Sequence, residues 1–380
     1  MAKKNLRWII LPLIVAASLF FFLEKDFLPG AAPQSQPSES IRLLELVMRL
    51  VQQDYVEEPD PNKTMSGAFK GLVGSLDVLS SYLDETGVQR YQERGRTGQY
   101  ETGLILYKRY GTFPMVIGIM ENSPAADSGL ELGSPIYALD GISTLGFSML
   151  EANLYQKAPV ADPVSIKTTQ DNKNITLEIA RSQLNDGPFT YSEEPSLGGV
   201  LRVHLFHAPL VDRLKAELIP RLKQTSRTLV LDLRNCHDGT LEEALAFTNL
   251  FLQKDRIGDL EKRGGLRESL SCSEESELPD LPLVIWTNQG TMGPAELAAI
   301  VLNRNRNARI IGHQTLGLVA RGRFFPLDDG TGLVLTSGVF RPAGGGELWE
   351  KGISPDIKLE TDEQGYTAYL EQTRKLIDSR

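Results

Sequence analysis

The stretch that most constrains this chain runs from Leu281 to Gly322. Leu283-Val284-Ile285-Trp286 is an apolar, β-branched run of the length of a buried strand. Thr287 to Gly293 form a polar, glycine-containing turn. Pro294 then opens Ala295 to Leu302, a helix with proline in its first turn, where a missing N–H costs little. Ala308 to Ile311 predicts a second strand, followed by Gly312-His313-Gln314-Thr315-Leu316-Gly317-Leu318. Strand, tight turn, helix and strand in this order present side chains at a sheet edge and call for an α/β domain.

These residues resemble the core of the carboxyl-terminal processing peptidases (tail-specific proteases), whose pattern reads N-x-G-[ST]-A-S-A-S-E-I and then G-x-x-T-[FY]-G-K-G-x-x-Q. Here Asn288, Gly290, Thr291, Met292, Gly293, Pro294, Ala295, Glu296 and Leu297 fill the first block. Gly312, Thr315, Leu316, Gly317, Leu318, Val319 and Gly322 fill the second, with no gap between the blocks. The resemblance implies a crotonase/ClpP-like ββα core with an inserted PDZ domain and an N-terminal helical cap. It also places the family's nucleophilic Ser on Gly293, its general-base Lys on Leu318 and the Gln that assists the Lys on Gly322.

A Ser–Lys dyad needs a hydroxyl and a neutral amine in hydrogen-bond reach. Gly293 has no side chain and Leu318 cannot accept a proton. No Ser or Lys occurs between Asn288 and Leu335, so no local shift restores the pair. The oxyanion hole that the resemblance implies uses the N–H after the nucleophile, and Pro294 has none. Its other half is a Gly-Gly turn; here the sequence reads Cys236-His237-Asp238-Gly239, after the strand-like Thr228 to Leu233. No catalytic residue is therefore assigned. The expected protein is an inactive homologue that binds peptides or proteins. The alternative is an active serine-type endopeptidase with an unrecognised nucleophile, Thr291 being the nearest hydroxyl.

Lys3, Lys4 and Arg7 precede an apolar run from Trp8 to Leu23, the pattern of an export signal. No small-x-small cleavage site follows directly, so the segment reads as an uncleaved anchor in a bacterial inner membrane, the rest of the chain facing the periplasm. The alternative is a cleaved leader and a soluble periplasmic protein. Phe27 to Ser40, rich in Pro, Ala, Ser and Gln, reads as a tether. The formal net charge of −9 argues against a nucleic-acid partner. Cys236 and Cys272 can pair in an oxidising compartment or stay separate. His204 and His207 have metal-compatible spacing without a third ligand nearby, so neither metal nor cofactor is expected.

The predicted organisation is anchor 1–23, tether 24–40, helical cap 41–97, PDZ domain 98–181, protease-like core 182–362 and a final helix 363–380. Within the cap, Ile41 to Tyr55 carries Leu43, Leu44, Val47, Leu50 and Val51 at helical spacing; this stripe either packs on its own domain or builds a homodimer or a hetero-oligomer with an active relative. Leu76-Asp77-Val78-Leu79-Ser80-Ser81-Tyr82-Leu83 is similar to the family's L-D-P-H-S-x-Y-L. Met115 to Met120, Asn122 to Leu130 and Leu132 to Gly141 match the strand, turn and second strand of a PDZ domain, whose groove binds peptide C-termini by strand addition. The resemblance puts that groove at Thr102, Gly103, Leu104, Ile105 and Leu106, with Glu101 at its entrance. Arg256 to Glu277 is charged and unpatterned, and is expected to be a surface excursion.

Overall fold

The computed structural model describes residues 39–94, 99–184, 187–195, 197–224, 227–253, 255–272, 276–278, 280–360 and 365–378. The expected anchor and nearly all of the tether lie outside the described residues. Among the described residues no helix is long and apolar enough to cross a membrane. The chain divides into two units, residues 1–64 and 65–380.

In the first unit the predicted helix is present as Glu39–Asp54. None of its residues is buried, and Ile41, Leu43, Leu44, Leu46, Val47 and Leu50 are all exposed.

The second unit is organised around a six-stranded sheet. Its order is Phe189–Glu194, Gly198–Val203, Thr228–Asp232, Leu283–Thr287, Arg309–Gly312 and Ile357–Lys358. The first pair is antiparallel and every later neighbour is parallel. Strands buried on both faces read as continuous apolar runs, and all five residues of Leu283–Thr287 are buried. Leu231, Leu283 and Ile285 face the cluster formed by Leu210–Leu222, Leu241–Asn249 and Pro294–Arg306. Val230, Val284 and Trp286 face the helix Tyr366–Asp378. That helix is bolted on by polar contacts too, Trp286 Nε1 donating to Thr373 Oγ1 at 2.9 Å and the Tyr369 hydroxyl to Thr287 O at 2.8 Å.

The helical segment from Leu210 is continuous to Leu222 but carries a π-turn over Leu214–Leu218. Pro220 lacks the N–H that an α-helix would use there, and the wider turn absorbs the missing bond.

The stretch from Arg256 departs from expectation. It forms a hairpin, Arg256–Glu261 with Arg267–Ser271, and its first strand pairs with Gly332–Pro342. The charged residues mask the pattern because they satisfy one another: Arg341 Nε lies 2.7 Å from Glu261, and Arg321 Nη1 2.9 Å from Glu268. Gly332–Pro342 is one long strand. With Ala320–Pro326 and Ser81–Leu83 it completes a five-stranded antiparallel sheet.

Residues 99–184 hold a smaller β-rich body. Ile142–Ser143, Ile136–Leu139, Val164–Gln170 and Lys173–Ile179 make a four-stranded sheet, and Leu104–Tyr107 pairs with Met115–Ile119. The helix Met149–Tyr155 begins with a capping box, Ser148 Oγ accepting from Glu151 N and Glu151 accepting from Ser148 N. Its Ala152 joins Leu104, Leu106, Ile136 and Ile166 in a separate apolar core.

Candidate functional site

The turn after Leu283–Thr287 delivers Gly293 to the N-terminus of Pro294–Arg306 with φ +55° and ψ −111°, a conformation costly for side-chain-bearing residues. Space is not the obstacle. A Cβ built on Gly293 would find its nearest neighbour, the Leu318 carbonyl oxygen, at 3.6 Å.

One carboxylate ties the two loops together. Glu296 is fully buried. Its Oε2 accepts from Gly293 N at 3.0 Å and Leu318 N at 2.7 Å, and its Oε1 accepts from Gly317 N at 2.5 Å and from the Thr315 hydroxyl. Burial raises its pKa, and these four donors work in the opposite direction. The backbones at 293 and 318 are thus held at fixed spacing although neither carries a reactive group.

Apolar side chains fill the neighbourhood. Leu318 and Met292 pack with Ile105, Ile117 and Met149. Gly322 is exposed at a bulge in Ala320–Pro326. Thr291 Oγ1 is committed to structure, donating to Leu233 O at 2.8 Å and accepting from Asn288 N at 3.0 Å.

The turn at 236–239 differs in detail from expectation. Cys236 belongs to the core cluster and does not pair with Cys272; both are buried, free thiols. Gly239 is obligatory at φ +145°, because a Cβ there would stand 2.5 Å from Phe206 Cβ. The negative charge of Asp238 is compensated: Oδ2 lies 2.9 Å from Lys157 Nζ and Oδ1 3.2 Å from His207 Nε2. Burial pushes the Asp238 carboxyl up, but Lys157 and His207 outweigh it and hold it well below the ordinary carboxylate range. Burial likewise pushes the Lys157 amine down, and Asp238 and Glu101 overcome that to leave it raised.

Asp238, Gly239, Gly293, Pro294, Leu318 and Gly322 line one cleft of about 260 Å³. Lys157 lines it as well, from a domain in which the sequence offered no reason to look for an amine. Its hydrogen-bond partner among the described residues is Asp238, whose charge favours the protonated amine over the neutral form that a general base requires. The cleft hydroxyl of Thr240 caps the helix Leu241–Asn249 by accepting from Glu243 N.

The residues expected to line a peptide groove belong to one short segment. Thr102 to Leu106 run along the edge of Leu104–Tyr107 and are buried. Asn153, on the facing helix, hydrogen-bonds to Leu106 through both its backbone groups. Glu101 turns to Lys157, 3.9 Å away. The two histidines singled out by spacing are not partners of each other: His204 meets Thr190 Oγ1 at 3.2 Å, and His207 meets Asp238. Among the described residues no group of three His, Cys, Asp or Glu is placed to hold a metal.

Comparison with known proteins agrees with this fold. Residues 198–359 match the family model described as Peptidase family S41. The chain is 25% identical over 368 residues to the carboxy-terminal processing protease CtpA of Bacillus subtilis (strain 168), covering 96% of this chain and 78% of that protein. To the carboxy-terminal-processing protease of Bartonella bacilliformis it is 27% identical over 326 residues, covering 83% of this chain and 74% of the relative. The solved photosystem II D1 C-terminal processing protease superposes with a TM-score of 0.69 at 20% identity, covering 90% of this chain and 97% of that one, a likeness of fold.

Proposed function

Since the chain belongs to the carboxy-terminal processing peptidase family, we propose that it is a member without peptidase chemistry, a peptide- or protein-binding scaffold of the bacterial envelope. The observation that carries this reading is the pairing of Gly293 with Leu318: Glu296 fastens both loops at the family's dyad positions, yet neither position bears a nucleophile or a base. Loss of a nucleophile leaves at most roughly 10³–10⁴ over the uncatalysed rate. Pro294 removes an oxyanion donor, a further factor of about 10²–10³. The amine that does reach the cleft, Lys157, is engaged by Asp238.

In this reading the six-stranded sheet and its helices are the ββα core of the family, and residues 98–181 are a PDZ domain. Peptides enter by way of the groove at Thr102 to Leu106 and the cleft at Gly293 and Leu318. The apolar run from Trp8 to Leu23 anchors the protein in the inner membrane with the remainder in the periplasm, and the exposed stripe of Glu39–Asp54 serves self-association or pairing with an active relative. That the relatives are carboxy-terminal processing proteases favours the alternative of an active endopeptidase; the commitment of Thr291 Oγ1 to Leu233 O and Asn288 N weighs against the one hydroxyl that sequence suggests for it.

The deciding experiment incubates the full-length protein with unfolded β-casein and, in parallel, with a fluorophosphonate probe. Neither cleavage nor labelling is expected. Cleavage that is lost in Thr291→Ala would establish the active alternative instead.

A further inference from the structure

We propose that the edge of the strand Leu104–Tyr107 is already occupied by the carboxamide of Asn153, and that Asn153 is the residue an extended peptide must displace to enter this groove. The inference rests on the peptide-binding reading above and says how that site is regulated.

Strand addition works through the backbone N–H and C=O groups that an edge strand leaves unpaired. At Leu106 both are taken. Asn153 Nδ2 donates to Leu106 O at 2.7 Å, and Asn153 Oδ1 accepts from Leu106 N at 3.0 Å. A carboxamide offers one donor and one acceptor side by side, as a peptide unit does, so Asn153 reproduces the contacts that one residue of a paired strand would make. The second Nδ2 hydrogen goes to Met149 O at 2.9 Å, which fixes the amide in the one orientation compatible with all three contacts.

The next outward amide is engaged by the same end of the molecule. Leu104 N donates to Thr102 Oγ1 at 3.3 Å, and that hydroxyl donates to Gln156 Oε1 at 2.9 Å. The side chains that would form walls for an incoming peptide, Leu104 and Leu106, are instead packed against Ala152 in the domain's own core. Asn153 also lines the cleft beside Gly293 and Leu318, so the capped edge borders that cleft. The groove is therefore a self-capped edge: an incoming strand has to exchange two existing hydrogen bonds for two new ones before it gains anything from further contacts.

The test measures amide hydrogen exchange at Leu106 in the full-length protein, in Asn153→Ala and in Asn153→Asp. Binding of a fluorescent decapeptide pool with free C-termini is followed in parallel. Aspartate keeps the acceptor for Leu106 N but cannot donate to Leu106 O, and exchange at Val116, on the paired strand, reports that each variant is folded. Without peptide, Leu106 is expected to exchange at least about tenfold faster in Asn153→Ala than in the unaltered protein, and the peptide pool to bind about tenfold tighter. Equal Leu106 protection in all three proteins overturns the proposal. So does a measurable peptide affinity that is equal in all three. Faster exchange in the variants with no peptide bound by any of them leaves the self-capped edge standing and removes the peptide-binding reading.

Discussion

Lys157 Nζ and Asp238 Oδ2 stand 2.9 Å apart across two bodies of the fold that are 81 residues distant in sequence. Each has a side chain less than one-fifth exposed. The pair joins the small β-rich body to the turn that borders the cleft, and it places a charged amine where chemistry would require a neutral one.

Breaking that pair has a calculable cost. Asp238→Asn is expected to destabilise the protein by about 1–3 kcal/mol, below the roughly 3–5 kcal/mol of a fully buried pair because some solvent reaches both groups. Denaturant unfolding measures it. The folded Asp238 carboxyl is depressed, so the contribution is present above the ordinary carboxylate pKa and disappears as pH falls through the folded value. The difference between the two proteins should accordingly shrink below about pH 4.

Restoring the missing letters should not by itself restore activity. Gly293→Ser with Leu318→Lys puts a hydroxyl where there is room for one, but at a positive φ and next to Pro294, which donates no N–H. Fluorophosphonate labelling and casein cleavage are expected to remain at least about a hundredfold below those of the same variant carrying Pro294→Ala. Equal rates in the two would show that the N–H at 294 is irrelevant.

Glu296→Gln exchanges an acceptor of four hydrogen bonds for a group with one acceptor oxygen. At least one of Gly293 N, Leu318 N or Gly317 N then faces an amide hydrogen, and a loss of about 2–4 kcal/mol is expected from the buried, unsatisfied donors. The midpoint of thermal unfolding reads it directly.

Acid stability should carry a histidine signature. Burial, with Arg202 nearby, lowers the His204 pKa to about 4. A histidine with a depressed folded pKa binds fewer protons folded than unfolded between pH 4 and about 6.5, so stability is lost as pH drops through that window, by up to about 1.4 kcal/mol per unit. Replacement by Gln removes the proton-uptake site and should flatten that part of the stability profile, which urea titrations at pH 4.5, 5.5 and 6.5 would resolve.

Which parts of this were readable from the chain follows from the range of the interactions. Leu283 to Trp286 and the helix after Pro294 announce themselves because burial on both faces makes the run uniformly apolar, and because proline is tolerated in a first turn. The positions of Gly293 and Leu318 were legible as an alignment of short motifs. The hairpin from Arg256 was not: its inward residues Ile257 and Leu260 are separated by Gly258 and Asp259, and its charges find partners on Gly332–Pro342 and neighbouring strands that no local window contains. Lys157 and Asn153 were invisible for the same reason, since each owes its role to a group 47 to 81 residues away. Asp238 was seen, but its compensation was not.

The buried carboxylate of Glu296 has one more implication. Because it grips main-chain amides and a distant threonine, the hydrogen bonds that set the spacing of the two loops do not pass through the side chains at 293 or 318. Reactivity in such a frame can be lost, exchanged or reinstalled without breaking those hydrogen bonds. A survey of kindred sequences would then find chemistry changing at two isolated sites against an otherwise steady background, with the glutamate retained in cutters and non-cutters alike.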